Sequence, residues 1–364
     1  MNRLISFLLF SIIGITFIIC SCCESPISES IDQELMIDVP ESQLYVRVRG
    51  DETKPLIINL HGGPGGYSGI DIKLMGPSLE DEYLVAYLDQ RGCGKSPECQ
   101  DISMLNIAQY LEDLDFVIDS LLMRYNKNKV ALMGTSWGGM YGFLYLLKDS
   151  NKVSVYACID GKVNSEYQNE FLLDFQTNKV NELLKGQIPH ERKVELEDIA
   201  KELEKIKNRN YSNFYEDINW MLHEVSPKLG FNAYFADTSK IISMDDVLND
   251  TALLNLMNYT REEYLKIGEK AEFVNQAFLD GSEYNEINIE KELATIITPC
   301  AVIQGEFDYV VGLGHAQLIY NALSGLSPEN KELHILPNTG HCPAIESPNE
   351  LAEILKSFFS KNSI

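Results

Sequence analysis

Short apolar segments alternate with segments of helical periodicity in the first half of the chain. Four runs, at 56–60, 83–88, 130–133 and 153–159, are short and rich in branched or aromatic residues. Such runs are typical of strands buried on both faces of a parallel sheet. The stretch 103–125 repeats its apolar residues at helical spacing, which predicts an amphipathic helix. Alternating strands and helices predict an α/β fold with a mostly parallel, doubly wound sheet.

Polar and apolar residues alternate from Glu34 to Val48 around a turn at 40–42, which predicts a β-hairpin. The strand and helix rhythm resumes after residue 295, with strands at 300–304 and 332–336 and helices at 315–323 and 349–359. The α/β core is therefore expected in two parts, residues 33–161 and residues 295–364.

Residues 162–294 between the two core parts have a different pattern. They are acidic and mostly helical in period, and 191–207 is an example of a helix with charges of both signs. We interpret this stretch as an inserted helical cap of about the size of a small domain.

The N-terminus has the pattern of an export signal. Arg3 precedes a nearly continuous apolar run from Leu4 to Ile19, shorter than a membrane span of about 20 residues. Ser21 and Cys22 follow, and a small residue before a cysteine resembles a bacterial lipoprotein cleavage box. Residues 1–23 are therefore expected to be a signal segment, with Cys22 lipidated as a membrane anchor on the periplasmic or cell-surface side and 24–32 as a linker. Ordinary secretion and an uncleaved anchor are the alternatives.

The chain is strongly acidic, with 54 Asp and Glu, 30 Lys and Arg, and a net charge of −24. This charge repels phosphate backbones and argues against nucleic-acid binding. Five of the eight cysteines lie outside the region of the cleavage box, an odd number that does not indicate a disulfide framework. Cys93 and Cys99 could form a bridge, although two free thiols fit equally well. No spacing of cysteine and histidine matches a metal site, and no cofactor is predicted.

The segment Gly134–Gly138 (GTSWG) has the pattern of a nucleophile elbow, with Ser136 at its centre. The serine must lie on a strained turn between a strand and a helix, and side chains two residues before or after it would collide with neighbouring backbone. A predicted strand precedes this segment and a helical stretch follows, which is the required context.

A glycine-rich loop, His61–Gly65 (HGGPG), follows the strand at 56–60. Its unshielded backbone N–H groups are suited to one half of an oxyanion hole, and the N–H of Trp137, directly after the nucleophile, is suited to the other. His61 is expected to orient this loop.

A hydrolytic serine needs a histidine base, which in this fold follows the last strand. His341 lies between the last predicted strand and the last predicted helix. The competing His315 lies on a predicted helix, and His334 lies within a strand.

The acid that orients the base is expected between the serine and the histidine in chain order. Asp308 follows the strand at 300–304 and is the preferred candidate. Asp160, after the strand at 153–159, is the alternative, because geometry defines such a triad.

Taken together, these motifs resemble the proline iminopeptidase family of α/β-hydrolase-fold serine hydrolases. The resemblance is carried by HGGPGG at 61–66, DQRGCGKS at 89–96, GTSWGG at 134–139, GEFD at 305–308 and GH at 340–341. It implies a triad of Ser136, Asp308 and His341, oxyanion donors at Gly63 and Trp137, and a structural role for 89–92.

The resemblance also implies an aminopeptidase that releases N-terminal residues, such as proline, from short peptides. Enzymes of this family bind the substrate ammonium with cap glutamates, for which Glu166, Glu170 and Glu224 are candidates by residue type. An esterase or other small-molecule hydrolase with the same triad is the alternative, and a non-catalytic binding protein is a third hypothesis.

Overall fold

The computed structural model describes residues 30–208, 214–279 and 281–362, whose centre is an eight-stranded sheet. The strands are β1 (Ser30–Val39), β2 (Ser42–Asp51), β3 (Leu56–Leu60), β4 (Leu84–Leu88), β5 (Val130–Thr135), β6 (Val153–Ile159), β7 (Cys300–Gly305) and β8 (Lys331–Leu336). Their order in the sheet is β1-β2-β4-β3-β5-β6-β7-β8. The pairs β1–β2 and β2–β4 are antiparallel, and all other neighbours are parallel. The predicted α/β fold with a mostly parallel, doubly wound sheet is confirmed.

The predicted hairpin is present but longer than expected, because β1 pairs with β2 from Ser30 opposite Asp51 to Val39 opposite Ser42. The predicted linker 24–32 is therefore corrected at its end, since residues 30–32 belong to the sheet. Asp32 shows the physical reason: its carboxylate forms ion pairs of 2.7 Å with Arg47 and 3.0 Å with Arg49 on the neighbouring strand. These cross-strand pairs hold a polar sequence in an edge strand.

Helices cover both faces of the sheet. Helices α1 (Gly69–Leu79) and α14 (Pro348–Lys361) share one apolar cluster with residues such as Ile57 and Val85 of the central strands. The other face is covered by α2 (Ile107–Arg124), α3 (Trp137–Lys148) and α12 (His315–Ala322), which pack against the alternate strand residues. Because β3 and β4 are buried on both faces, their sequences show no alternation.

The insertion between β6 and β7 is helical. It contains α4 (Ser165–Leu184), α5 (His190–Asn208), α6 (Phe214–Trp220), a π-helical turn (Met221–Val225), α7 (Ser226–Lys228), α8 (Met244–Asn249), α9 (Thr251–Met257), α10 (Arg261–Leu279) and α11 (Ser282–Asn285). A short helix α13 (Pro343–Glu346) precedes α14.

The insertion has two parts that pack differently. Its first part, from α4 to α7, has its own apolar cluster, which also includes Val310 and Val311 of the core. Helices α8 and α9 and the start of α10 pack around Tyr67 of the core, and Phe278 of α10 joins the main core. Each part therefore has an apolar interior of its own, and the end of α10 packs into the main core.

Within the ranges that the structure describes, no helix combines the length and apolar character needed to cross a membrane. The predicted signal segment 1–23, including Cys22, lies outside those ranges, as do residues 24–29 of the predicted linker. Cys93 and Cys99 are both free thiols.

Candidate active site

Ser136 lies on a sharp turn between β5 and α3, as the elbow pattern predicts. Its backbone has a φ of 56°, in the left-handed region that side-chain-bearing residues rarely adopt. A Cβ atom on Gly134 would come within 2.2 Å of the Gly138 carbonyl oxygen, and one on Gly138 within 2.0 Å of the Leu60 carbonyl oxygen. Gly134 is therefore required for the turn to close, and Gly138 for the turn to pack against β3.

The structure brings Ser136, His341 and Asp308 together from three separate loops. The Ser136 Oγ hydroxyl donates to His341 Nε2 at 2.9 Å, and His341 Nδ1–H donates to Asp308 Oδ2 at 3.0 Å. Asp308 follows β7 and His341 follows β8. Because β5 to β8 are parallel, the loops after their carboxyl ends lie at the same edge of the sheet. The His341 backbone N–H also donates to the Tyr234 carbonyl at 2.7 Å, which fixes its loop against the cap.

The two competing histidines do not contact Ser136. His315 is buried in α12, where Nδ1–H donates to the Val311 carbonyl and Nε2 accepts the Val163 N–H. Burial lowers the pKa of His315 to about 4, which agrees with a neutral ring held by one donor and one acceptor. His334 lies beside Glu332 at 3.0 Å on β8.

Asp308 is fully buried and has the environment of an ionised carboxylate. Burial alone would raise its pKa, but the electrostatic interaction with the His341 ring and hydrogen bonds lower the pKa overall. Two of these hydrogen bonds come from the backbone N–H groups of Val310 at 2.9 Å and Val311 at 3.2 Å. A carboxylate that accepts several hydrogen bonds stays charged and holds the imidazole in one tautomer.

Asp160, the alternative acid, lies beside Asp308 but has the opposite character. Burial and the neighbouring Asp308 charge raise the pKa of Asp160 well above its ordinary value. Its Oδ1 accepts the Gly305 N–H at 2.9 Å, and Oδ2 has no partner among the described residues that could donate to it. We infer that Asp160 is a neutral carboxylic acid whose proton is directed to Asp308.

One group of acidic and histidine side chains in the described ranges could hold a metal ion: Asp160, Asp308 and His341, with atoms within 4.8 Å of one another. Their hydrogen bonds favour a hydrogen-bond network among these three side chains over a metal site. His341 Nδ1 uses its proton to bond Asp308, so this nitrogen has no lone pair for a metal.

The predicted oxyanion donors, Gly63 and Trp137, both line the cavity at Ser136. Trp137 is the first residue of α3, so its N–H has no partner within the helix. Gly63 lies in the loop after β3 with a φ of 131°, and both residues line the same cavity as Ser136. A Cβ on Gly63 would come within 2.6 Å of the Gly65 nitrogen, so the loop tolerates only glycine there.

The segment 89–92 ties these loops together. The Trp137 indole donates to Gln90 Oε1 at 2.7 Å, and Gln90 Nε2 donates to the His61 carbonyl at 3.1 Å. His61 Nε2 in turn accepts the Gln90 N–H at 3.2 Å, which agrees with its expected role in orienting the loop. Arg91 forms a buried two-contact ion pair with Asp113, each contact 2.7 Å.

A cavity of about 460 Å³ opens above Ser136 between the core and the cap. The cap contributes apolar residues such as Leu222, aromatic residues such as Tyr284, and polar residues such as Asn285. The Oδ1 atom of Asn285 is buried and has no hydrogen-bond partner in the described part of the chain. The cavity can therefore enclose a small substrate.

The charge of the cavity differs from the expectation. Glu166, Glu170 and Glu224 are all exposed, and none of them lines the cavity, so the structure does not support them as ammonium ligands. Each lies on the solvent side of its helical turn, the usual place of a charged residue. No other aspartate or glutamate lines the cavity within the described ranges; the charged side chain there is Lys162.

Lys162 was not predicted from the sequence to line the site, although its position carries a signal. Lys162 comes three residues after β6, and the carboxyl ends of parallel strands are where sites of open α/β sheets form. Asn285 carried no such signal, because it is a polar residue on a short helix of the insertion.

The fold and these loops define the class of protein. A family model described as the alpha/beta hydrolase fold matches residues 55–348, and the chain belongs to that family.

The chain is similar over most of its length to proline iminopeptidases, as the motifs indicated. Proline iminopeptidase PfmaB of Pestalotiopsis fici is 22% identical over 329 residues, which cover 89% of this chain and 99% of that protein. The probable aminopeptidase YbaC of Bacillus subtilis is 23% identical over 346 residues, covering 91% and 97%. The solved proline iminopeptidase-related protein of Thermus thermophilus has a TM-score of 0.60 at 20% identity, covering 91% and 98%. This last likeness shows the fold.

Proposed function

We propose that this chain is a serine hydrolase that cleaves a small ester or amide through an acyl-enzyme. The observation that carries the proposal is the continuous pair of hydrogen bonds from Ser136 to His341 and from His341 to Asp308. The hydroxyl at its end lies on a strained turn at the wall of a cavity of about 460 Å³. A nucleophile, a base and an orienting acid in this arrangement are the parts that acyl transfer needs.

The proposed reaction has two halves. Ser136 Oγ attacks the substrate carbonyl while His341 Nε2 takes the hydroxyl proton, and the N–H groups of Gly63 and Trp137 stabilise the oxyanion. His341 then gives this proton to the leaving group, and the acyl group remains on Ser136. A water molecule, deprotonated by His341, attacks the acyl-enzyme, and the proton returns to Ser136 as the acid product leaves. Asp308 accepts the Nδ1–H bond throughout and stabilises the imidazolium.

Labelling with a fluorophosphonate tests this proposal. The wild-type protein should be labelled, and Ser136→Ala should not. Ser103→Ala, which changes an exposed serine away from the cavity, should label like the wild type. Equal labelling of the Ser136→Ala protein, or no labelling of the wild type, would refute the assignment.

Release of the N-terminal residue of a short peptide is the substrate class that the relatives favour. Proteins named proline iminopeptidase or aminopeptidase are similar to this chain over about nine-tenths of its length.

A small ester is the second candidate, and the charge of the cavity favours it. An aminopeptidase substrate brings an ammonium group, and the described lining offers Lys162 and no carboxylate to receive it. Two like charges in a desolvated cavity repel each other.

Parallel assays with aminoacyl 4-nitroanilides and 4-nitrophenyl esters separate the two candidates. Hydrolysis of prolyl or alanyl 4-nitroanilide that is lost in Ser136→Ala would support the peptidase. Hydrolysis of the esters alone would support the esterase.

The sequence pattern of the N-terminus supports a further proposal, that the enzyme is an exported lipoprotein anchored through Cys22. In a bacterial host, labelled palmitate should be incorporated into the full chain and not into its Cys22→Ala variant. Incorporation that persists in the variant would refute the anchor at Cys22.

A further inference from the structure

Lys162 is held in place by the backbone on both sides of it. Directly before it, a Cβ on Gly161 would come within 2.4 Å of Cys158 Sγ, so only glycine lets this loop lie close to β6 and α3. Directly after it, the Val163 N–H donates to His315 Nε2 at 3.1 Å, and the Val163 carbonyl accepts the Ile289 N–H at 2.9 Å. The lysine is therefore a fixed part of the cavity wall.

The side chain of Lys162 is buried and lines the catalytic cavity, with a relative exposure of 5%. Its Nζ atom lies 4.2 Å from the centre of the Tyr284 ring, and Tyr284 also lines the cavity. The Tyr284 ring lies 5.8 Å from the ring of Trp137, the residue directly after the nucleophile. These contacts connect the ammonium group to the wall of the cavity that borders Ser136.

The ammonium group has no oxygen partner among the described residues. An ammonium can donate three hydrogen bonds, and an aromatic face satisfies only part of this capacity. Burial lowers the pKa of Lys162 to about 7, and no neighbouring carboxylate counters this effect. The titratable neighbours on packed elements are Tyr284 and His315, and neither supplies a negative charge at neutral pH. A desolvated cation without a counter-ion is costly, and an anionic ligand relieves that cost.

We propose that Lys162 forms a carboxylate-binding subsite of the catalytic cavity, and that the preferred substrate carries a free carboxylate. The inference rests on the proposed hydrolase function and adds to it the chemical class of the substrate. The carboxylate has two sources. It belongs either to the acyl part, as in a half-ester of a dicarboxylic acid, or to the leaving group, as in the C-terminus of a dipeptide.

Matched substrate pairs distinguish the two sources. The first pair is 4-nitrophenyl hemiglutarate and the neutral 4-nitrophenyl butyrate. The second pair is alanyl-alanine and its C-terminal amide. In the wild type, kcat/KM for the carboxylate member should exceed that for the neutral member about tenfold or more in one pair, because hydrogen bonds to charged groups contribute at that level.

Lys162→Met, which keeps the length of the side chain and removes its charge, should abolish this preference. Lys162→Arg should retain much of it. Lys152→Met, which removes a partly exposed lysine paired with Asp115 and Asp119, is the matched control and should keep both the preference and the rates. A wild type without preference in either pair, or a preference that survives in Lys162→Met, would overturn the proposal.

Binding of glutarate, measured by calorimetry at pH 6.5, separates this inference from the proposed function. If the wild type is not labelled by the fluorophosphonate and hydrolyses none of the four substrates, the hydrolase proposal is wrong. Glutarate binding then tests the carboxylate subsite independently of hydrolysis. Binding at least tenfold weaker in Lys162→Met than in the wild type supports it. Equal binding, or none to either protein, refutes it.

Discussion

Asp308 and Asp160 are both buried near His341, and substitution of each tests which of them is its charged partner. In Asp308→Asn the amide can no longer stabilise the imidazolium that forms when His341 takes the serine proton. His341 Nδ1 and Asp308 Oδ2 lie 3.0 Å apart, and this is the distance between the imidazolium and the carboxylate in the transition state. With an effective dielectric constant of about 20, their attraction is about 5 kcal/mol.

This attraction develops in the transition state, when His341 takes the serine proton. Its loss should therefore lower kcat and leave KM nearly unchanged. About 5 kcal/mol corresponds to about a 10⁴-fold loss, and the equivalent substitution in serine proteases has an effect of about this size.

Asp160→Asn is the matched control. An asparagine has the shape of the neutral carboxylic acid that we infer at Asp160, and it can still accept the Gly305 N–H and donate to Asp308. We expect a change in kcat of less than about tenfold, well below the loss in Asp308→Asn. Both variants are compared by steady-state hydrolysis of 4-nitrophenyl butyrate, with circular dichroism as the check on folding. A large loss in Asp160→Asn with a small loss in Asp308→Asn would refute the reasoning and make Asp160 the triad acid.

Three further predictions concern packing and buried charge. Gly138→Ala places a Cβ 2.0 Å from the Leu60 carbonyl oxygen, so in a thermal unfolding assay it should lower Tm strongly or prevent folding. Gly268→Ala is the control and should unfold near the wild-type Tm, because the nearest atom to its new Cβ is the flexible end of Met244 at 3.5 Å. Arg91→Met leaves Asp113 buried without its cation and should lower the free energy of unfolding, measured in urea, by about 3–5 kcal/mol; a loss below about 1 kcal/mol would contradict the buried ion pair. Lys162→Met should raise the free energy of unfolding most below pH 7, because the pKa of Lys162 is lowered to about 7 in the folded state while the unfolded lysine titrates near 10.5. Between pH 7 and pH 10.5 the unfolded state holds one proton more than the folded state, so the stability of the wild type rises with pH. The stability advantage of Lys162→Met therefore shrinks over this range. An advantage that is equal at pH 6 and pH 10 would contradict a buried, unpaired ammonium.

Local sequence constraints were sufficient to predict the strands and the elbow. Buried strands need short apolar runs, and the turn at Ser136 needs glycines at 134 and 138. Both features are therefore visible as sequence patterns within a few residues. Helix α1 has no such pattern. It was not predicted, because Gly76 and Pro77 interrupt its helical pattern, and it is held by packing against α9 and α14.

Chain order and strand order were sufficient to select His341, but not to decide the ionisation of the two acids. Asp160 and Asp308 both follow parallel strands next to the site; their positions in the chain favoured Asp308 as the acid, but did not specify which carboxyl group is charged. The hydrogen bond from His341 and the two backbone N–H groups make Asp308 the charged member of the pair. These interactions join residues that are distant in the chain.

The sequence by itself determined the α/β sheet and the strained turn at Ser136, because each depends on local periodicity or steric limits. The order of Ser136, Asp308 and His341 can be read directly from the chain. Only the tertiary structure decided which side chains of the insertion face the cavity. Glu166, Glu170 and Glu224 point to solvent, while Lys162 and Asn285 line the cavity from positions far apart in the chain. Orientation of this kind follows from long-range packing of helices, which residue type and spacing do not specify.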